Sequence, residues 1–514
     1  MKILIREPIA DAGLELLRAS FDVVVDTESP LEEIVGDYDA LVVRSATKVT
    51  AEIIARADRL KVIGRAGVGV DNVDVEAATR RGIVVANAPE SNVVSAAEHT
   101  IGLLVALARN IPQAHAALVA GRWERSKWGG VELADKTLGV LGFGRIGRQV
   151  ARRALGLQMN VVAYDPFVSA ERFRELGAES ASFDEVLARS DFLTLHLPLT
   201  DETRGAIDAA AIAKMPDGVR IVNAARGELV DVPALIEALE SGKVAGAAVD
   251  VFPEEPYDGP LLTAPNVVVT PHLAASTGEA QDRAGAIVAE QVAAALQGGL
   301  VTNAVNIPAV GAEDLQVLGP FVPLAAKLGR LAMEIAGRDV RTITVEVYGE
   351  LAEYDTRLLT VAALNGAFQG GTEQPVNYVN APVVAADRGI EVVEERRRAA
   401  RDYTNLVAVS VDAVRVAGTT IGKDARQFLV SALGFDLEME LAPRMALLLY
   451  DDVPGVIGRV GTLFGAAGVN IANMTVSRNR EGGKALMALS IDTVAPPELA
   501  AELREGMDAA HLIA

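Results

Sequence analysis

The chain has 514 residues, 50% of them hydrophobic, a formal net charge of −21 and no cysteine. At ~150 residues per domain this length predicts three or four domains, and the lack of cysteine excludes disulfides, thiolate nucleophiles and cysteine metal sites. The acidic balance excludes the broad basic face of a nucleic-acid binder, so an anionic substrate needs a local positive pocket built against the protein's own field.

The N-terminus, MKILIREP, meets charge at once and shows no signal-peptide pattern. No apolar run reaches the ~18 residues that span a bilayer. A cytoplasmic protein with no membrane partner, no nucleic-acid partner and no metal is therefore expected.

The first half alternates strand and helix patterns. KILIREP, FDVVVD, ALVVRS, KVIGRAG and IVVANAP are strand-length apolar runs, each followed by a helical or turn segment. Such alternation predicts a parallel α/β sheet. One long helix is expected from about Ser95 to Ala120, and a second from about Thr277 to Gln297. Two long helices flanking a central unit predict a chain that leaves one domain, builds another and returns, with the chemistry in the cleft between them.

The central unit opens on TLGVLGFGRIG, a strand running into a glycine-rich turn and a helix. Gly142, Gly144 and Gly147 fit G-x-G-x-x-G. The first permits the tight turn, the second lets backbone approach a pyrophosphate, and the third lets helix pack on strand. The helix N-terminus adds free N–H groups and a positive dipole end. The next strand, NVVAYDP, ends in Asp165, whose carboxylate suits a ribose diol and repels a 2′-phosphate. The cofactor expected is NAD.

Further strands follow in DFLTLHLP, VRIVNAA, AGAAVDVF and NVVVTPH. Carboxyl ends of strands in such sheets face the ligand crevice. His196 ends one strand as a lining residue. His272 ends the last, directly before a helix, where an imidazole suits proton exchange with a substrate hydroxyl. Glu255 follows another strand end and can orient it. Arg226 follows a third, and its planar fork suits a carboxylate. His99, His115 and His511 read as ordinary helix or terminal residues. Together these residues predict hydride transfer at a 2-hydroxy or 2-oxo acid.

Beyond VTNAVNIP a region of ~130 residues carries strands such as RTITVEVYGEL and helices such as TRLLTVAALNGAF. ERRRAAR (Glu395 to Arg401) is the densest basic patch and reads as a solvated helix face. The last ~70 residues read strand, loop, helix, strand, strand, helix, which is a small α+β unit.

VVRSATKV, GRAGVGVDNVD, SAAEHTIGLLVALAR, LGFGRIGR, VNAARG, DVFPEEP and TPHLAAST resemble signatures of the D-2-hydroxyacid dehydrogenase family, in its long, phosphoglycerate-oxidising form. The resemblance runs through essentially the whole chain. It implies two Rossmann-like doubly wound domains, for substrate and NAD, followed by two α+β regulatory domains, the last ferredoxin-like and of ACT type. The implied bounds are 1–94 with 276–304 for the substrate domain, 95–275 for the NAD domain, 305–442 for an intervening domain and 443–514 for the ACT domain. The catalytic set implied is Arg226, Glu255 and His272. The cofactor contacts implied are Gly142, Gly144, Arg145, Ile146, Gly147, Asp165, His196, Ala224, Asp250, His272, Ala274 and Ala275. Substrate contacts fall on Arg44, Ser45, Arg65, Gly67, Val68, Asn92 and Arg226. Trp123, Arg125 and Lys127 are expected to reach a neighbouring subunit's pocket.

The same resemblance implies oxidation of 3-phosphoglycerate, the first step of serine synthesis, in a homo-oligomer, a tetramer by expectation. L-serine is the implied effector, held by Tyr450, Asp452, Pro454 and Gly455 on the loop after the first ACT strand and by Asn470 opening the second. The final ACT strand is expected to be short. FDLEMELAP is acidic, so no extra anion site is expected there. A glyoxylate or hydroxypyruvate reductase and an NAD(H)-sensing corepressor remain as alternatives. The ~200 residues beyond position 310 and the Arg44–Ser45 pair weigh against the first, and the apolar, periodic C-terminal half against the second.

Overall fold

The computed structural model describes residues 1–299, 301–308, 311–337, 339–369, 375–399, 402–505 and 507–513. Five apolar strands open the chain: β1 (Lys2–Ile5), β2 (Asp22–Val25), β3 (Ala40–Val43), β4 (Val62–Arg65) and β5 (Val84–Ala86). They pair in parallel in the order β2-β1-β3-β4-β5. Parallel strands are covered on both faces by their crossover helices, which is why β3 can be a continuous apolar run buried at every residue.

The second sheet is also parallel. Its strands are β6 (Thr137–Leu141), β7 (Asn160–Tyr164), β8 (Glu179–Ser180), β9 (Phe192–Leu195), β10 (Val219–Asn223), β11 (Val244–Val249) and β12 (Val267–Val269). The order is β12-β11-β10-β9-β6-β7-β8. The winding reverses between β6 and β9, the switch point at which a doubly wound sheet opens its ligand crevice.

Two helical connections join the sheets. The single helix expected over 95–120 is in fact two, Val93–Arg109 and Ile111–Val119. Asn110 between them is left-handed (φ 51°), and Pro112 lies in the first turn of the second. Proline cannot donate to the preceding ladder, so the helix restarts in a new direction. The return helix, Gly278–Leu296, is capped by Thr277, which accepts from the Ala280 N–H. Past it, Val305 donates to Val85, and Asn306 bonds the Val85 N–H and the Ile83 carbonyl. This covers the free edge of the first sheet.

A six-stranded sheet follows: β13 (Thr342–Gly349), β14 (Glu391–Arg397), β15 (Asn405–Val411), β16 (Val414–Ile421), β17 (Arg426–Ala432) and β18 (Phe435–Glu440), ordered β14-β13-β15-β16-β17-β18. Only the β13–β14 pair is parallel. The basic patch expected on a helix instead ends β14, with Ala400 and Arg401 outside the described residues. Its alternating charges fit an exposed edge strand, where charge discourages pairing with another chain. Helices Val322–Ala336 and Arg357–Phe368 cross at Gly329 and Gly366. A side chain on either glycine would collide with the other helix's backbone, at Ala363 and Ala326.

The last sheet is antiparallel: β19 (Met445–Asp451), β20 (Ile471–Arg478), β21 (Lys484–Ile491) and β22 (Ala509–Ile513), ordered β20-β21-β19-β22. The final strand is longer than expected. It starts at Ala509 and pairs with β19 along all five of its residues. One buried cluster unites the last two sheets, with Leu437 and Met439 of β18 against Met445, Leu447, Leu486, Ala488 and Ile513. No described helix is long and apolar enough to cross a membrane.

Candidate active site

The glycine turn after β6 is shaped for a dinucleotide. Gly142 has φ 93°, a region open to glycine at no steric cost. A side chain on Gly147 would strike the Gly142 carbonyl, so the third glycine sets the helix against the strand. A Cβ on Gly144 would meet nothing, which leaves open space beside the backbone. Gly144 caps helix Arg145–Gly156 with no side-chain acceptor, so its first N–H groups stay available to an anion. Asp165 is fixed by accepting from the Phe143 N–H (2.9 Å) and the Phe167 N–H (3.0 Å). Its remaining lone pairs face no described donor. Ile146 packs on the core beneath the turn, and Arg145 lies 3.5 Å from Glu90 across the cleft. These residues fit NAD.

Across the crevice, β10, β11 and β12 deliver three polar groups from adjacent carboxyl ends. His272 Nδ1 lies 2.8 Å from Glu255 Oε2, and Glu255 Oε1 accepts from the Phe252 N–H (3.1 Å). The carboxylate thereby fixes the imidazole with Nδ1 as donor and leaves Nε2 able to take a proton. His272 does not directly precede a helix. It sits in a left-handed turn (φ 54°), and the next helix begins at Gly278. That turn donates the His272 N–H to Asp250 and Thr270 carbonyls, and the ring is half-exposed. A cavity of about 510 Å³ opens beside it, lined by Phe252, Glu255, Pro256, Tyr257, Leu262, Val269, Thr270, Pro271 and His272.

Arg226 stands two residues past Ala224 on the loop after β10. Asn223, buried at the strand end, holds that loop by donating to the Arg226 carbonyl (2.8 Å) and accepting from the Ala225 N–H (3.1 Å). The guanidinium reaches the Ala225 carbonyl and, at 3.4 Å, the Asp71 carboxylate of the first domain.

Asp250 is fully buried and its carboxylate is occupied within the protein. It accepts from the Thr270 hydroxyl and the Leu273 and Ala274 N–H groups, and faces His99 Nε2 at 3.2 Å. Burial alone would raise its pKa; these donors outweigh that and hold it lowered. Asp250 thus anchors the 272–275 turn. His99, read from sequence as an ordinary helix residue, belongs to this anchor. His196, expected to line the crevice, follows β9, lies 3.1 Å from the Thr194 hydroxyl, and is pushed down by burial to about 4, so its ring is neutral.

The loops expected to meet the substrate crown the first sheet. Glu7 accepts the Arg44, Ala46 and Thr47 N–H groups, and Asn72 donates to the Arg44 and Thr47 carbonyls. This pair shapes the loop that carries Arg44 and the exposed Ser45. Arg65 lies folded against Gly67, where a side chain would collide with its guanidinium. Burial pulls Arg65 down, Asp71 opposes that, and Arg226 and Arg44 add repulsion. Asn87 holds the Val68 carbonyl. Asn92 Oδ1 is buried and finds no partner among the described residues. Trp123 is 82% exposed, and Arg125 and Lys127 share a short turn beside it.

In the last sheet the expected effector residues are not together. Tyr450 is no loop residue: it lies within β19 and is buried, which raises its pKa. Asp452, paired with Arg478 at 3.4 Å, follows the carboxyl end of β19, with Pro454 and Gly455 beyond it. Asn470 precedes β20 at the opposite end of the sheet and bonds Asp492 (2.6 Å).

Residues 101–274 match the NAD-binding domain of D-isomer specific 2-hydroxyacid dehydrogenases. Residues 317–430 match the D-3-phosphoglycerate dehydrogenase intervening domain, and 445–505 the ACT domain. D-3-phosphoglycerate dehydrogenase of Archaeoglobus fulgidus is 45% identical over 98% of this chain and 97% of its own length. That of Methanocaldococcus jannaschii is 43% identical over 98% of each. The crystal structure of Aquifex aeolicus D-lactate dehydrogenase with NAD and lactic acid superposes with a TM-score of 0.54 and 30% identity, over 59% of this chain and 99% of that one.

Proposed function

The chain belongs to the D-3-phosphoglycerate dehydrogenase family, and from that premise we propose that it oxidises 3-phospho-D-glycerate to 3-phosphohydroxypyruvate at the cleft between its first two sheets. It is an NAD-dependent dehydrogenase, and NAD supplies the hydride acceptor. His272 Nε2 takes the proton of the substrate hydroxyl while Glu255 steadies the imidazolium through Nδ1. Arg226 holds the substrate carboxylate and polarises the carbonyl as it forms. Arg44 and Arg65 supply cations for the phosphate, with Ser45, Gly67, Val68 and Asn92 lining the same end. The observation that carries this reading is the 2.8 Å His272–Glu255 contact at strand ends, with Arg226 following the end of β10 in the same sheet.

We infer that the reaction serves serine synthesis in the cytoplasm and that L-serine restrains it through the ACT domain. Asp452 and Asn470 sit at opposite ends of one sheet, so a site using both needs two copies of the chain. A second pairing surface is supported by Ile111, Leu118, Val119 and Trp123, all half-exposed or more on one stretch beside the cleft. Two such surfaces support a homotetramer, with Trp123, Arg125 and Lys127 reaching a neighbour's pocket. The test is NADH formation from 3-phosphoglycerate and NAD, titrated with L-serine. Turnover suppressed by serine, and less so in Asn470→Ala, is expected. Turnover indifferent to serine would remove the effector role.

A further inference from the structure

The cations at the substrate end of the cleft are Arg44, Arg65 and Arg226, with Arg44 and Arg226 both close enough to repel Arg65. Two carboxylates, Glu7 and Asp71, face Arg65. Glu7 is committed, since it accepts three backbone N–H groups of the 44–47 loop. Asp71 is not: no described backbone donor bonds it, its side chain is 68% exposed, and it reaches across the cleft to Arg226 at 3.4 Å. Gly69 makes the approach possible, because a Cβ there would sit 2.5 Å from Arg226 Nη2 and 2.7 Å from Asp71 Oδ2.

We propose that Asp71 is a placeholder for the substrate carboxylate, occupying Arg226 in the empty cleft and yielding it to the incoming 2-hydroxy acid. An exposed ion pair is weak, so it is readily exchanged. An unpaired guanidinium among two others would otherwise attract any small anion in the cell. Asp71 therefore sets how tightly the site takes anions, and by the same exchange it helps the product leave. It touches Arg226 and not the reacting atoms, so it is a positioning residue. The proposal rests on the reading of Arg226 as the carboxylate clamp.

The test uses the full-length protein with NADH bound and oxalate, a small dianion resembling a 2-oxo acid, as probe. Asp71→Asn is expected to bind oxalate about 3- to 10-fold tighter at low ionic strength, because one nearby negative charge is gone. The gain should shrink with added salt. Asp71→Glu should stay near wild type, as should Glu76→Gln, which removes an exposed charge elsewhere on the same domain. In turnover, KM for the hydroxy acid should fall while KM for NAD holds. Asp71→Ser carries the same expectation should the Asn variant fail to fold. Oxalate affinity in the charge-removed variants equal to or weaker than wild type would overturn the proposal. Failure of 3-phosphoglycerate to turn over would instead overturn the substrate assignment, and the oxalate titration would still be readable.

Discussion

The two halves of the chain are joined internally by different physics. In the first half each sheet keeps its own buried clusters, and the contacts between them include the exposed pairs Asp71–Arg226 and Glu90–Arg145. In the second half one apolar cluster runs through both sheets. Polar contacts across a cleft exchange easily with water and ligand, whereas a continuous core moves only as a unit. The first half is thus joined across its cleft by exchangeable polar contacts, and the second by a shared apolar core. The second half touches the substrate domain through Asn377, which donates to the Gly82 carbonyl at 2.6 Å.

The largest effect should come from the polar half. His272→Ala is expected to lower kcat by about 10²–10⁴ with NAD binding retained, the usual loss of a general base. Unchanged kcat would remove His272 from the chemistry. The apolar half should answer to a core deletion instead. Leu447→Ala, at a fully buried position, is expected to cost about 2–5 kcal/mol. Calorimetry should show both C-terminal sheets melting together at lower temperature. An ACT unit melting alone would contradict the shared core.

Acid should weaken the first half through His196. Its folded pKa is depressed from 6.5 to about 4, so the unfolded chain binds the extra proton first. Stability is therefore fully present above pH 6.5 and is lost as pH falls toward about 4. The cost reaches roughly 3 kcal/mol. Denaturant melts of His196→Gln should lack this slope between those values; an identical slope would assign it elsewhere. Asp165→Ala is expected to weaken NAD binding by about 2 kcal/mol, the value of a charged hydrogen bond, and to relax rejection of NADP. An unaltered cofactor preference would refute its ribose role. The smallest effect belongs to the contact between the halves. Asn377→Ala should cost about 1 kcal/mol of coupling, read as a roughly five-fold rightward shift of serine inhibition.

How far the sequence predicted all this follows the same division. Parallel strands announced themselves as apolar runs, and glycine spacing located the dinucleotide turn because that geometry admits few residues at Gly142 and Gly147. The pairing of His272 with Glu255 was legible because both follow strand ends of one sheet, and the structure brings them to 2.8 Å. Residues that act through others left weaker signals. Asn223, Asn72 and Glu7 hold loops by backbone hydrogen bonds, and His99 reaches Asp250 from 151 positions away. No local pattern marks such partners. The break at Asn110 was visible in Pro112 but outweighed by the apolar periodicity on either side. Tyr450 looked like a loop residue beside DDVPG; only its pairing with Ala485 places it in the sheet.

The most direct test of the account compares NADH formation from NAD with 3-phosphoglycerate and with unphosphorylated D-glycerate, in wild type and in Arg44→Ala. Wild type should strongly prefer the phosphorylated acid, and the variant should lose that preference while keeping turnover of glycerate. Equal activity on the two acids, or no turnover while NADH still binds, would contradict the assignment of the arginine-lined cleft.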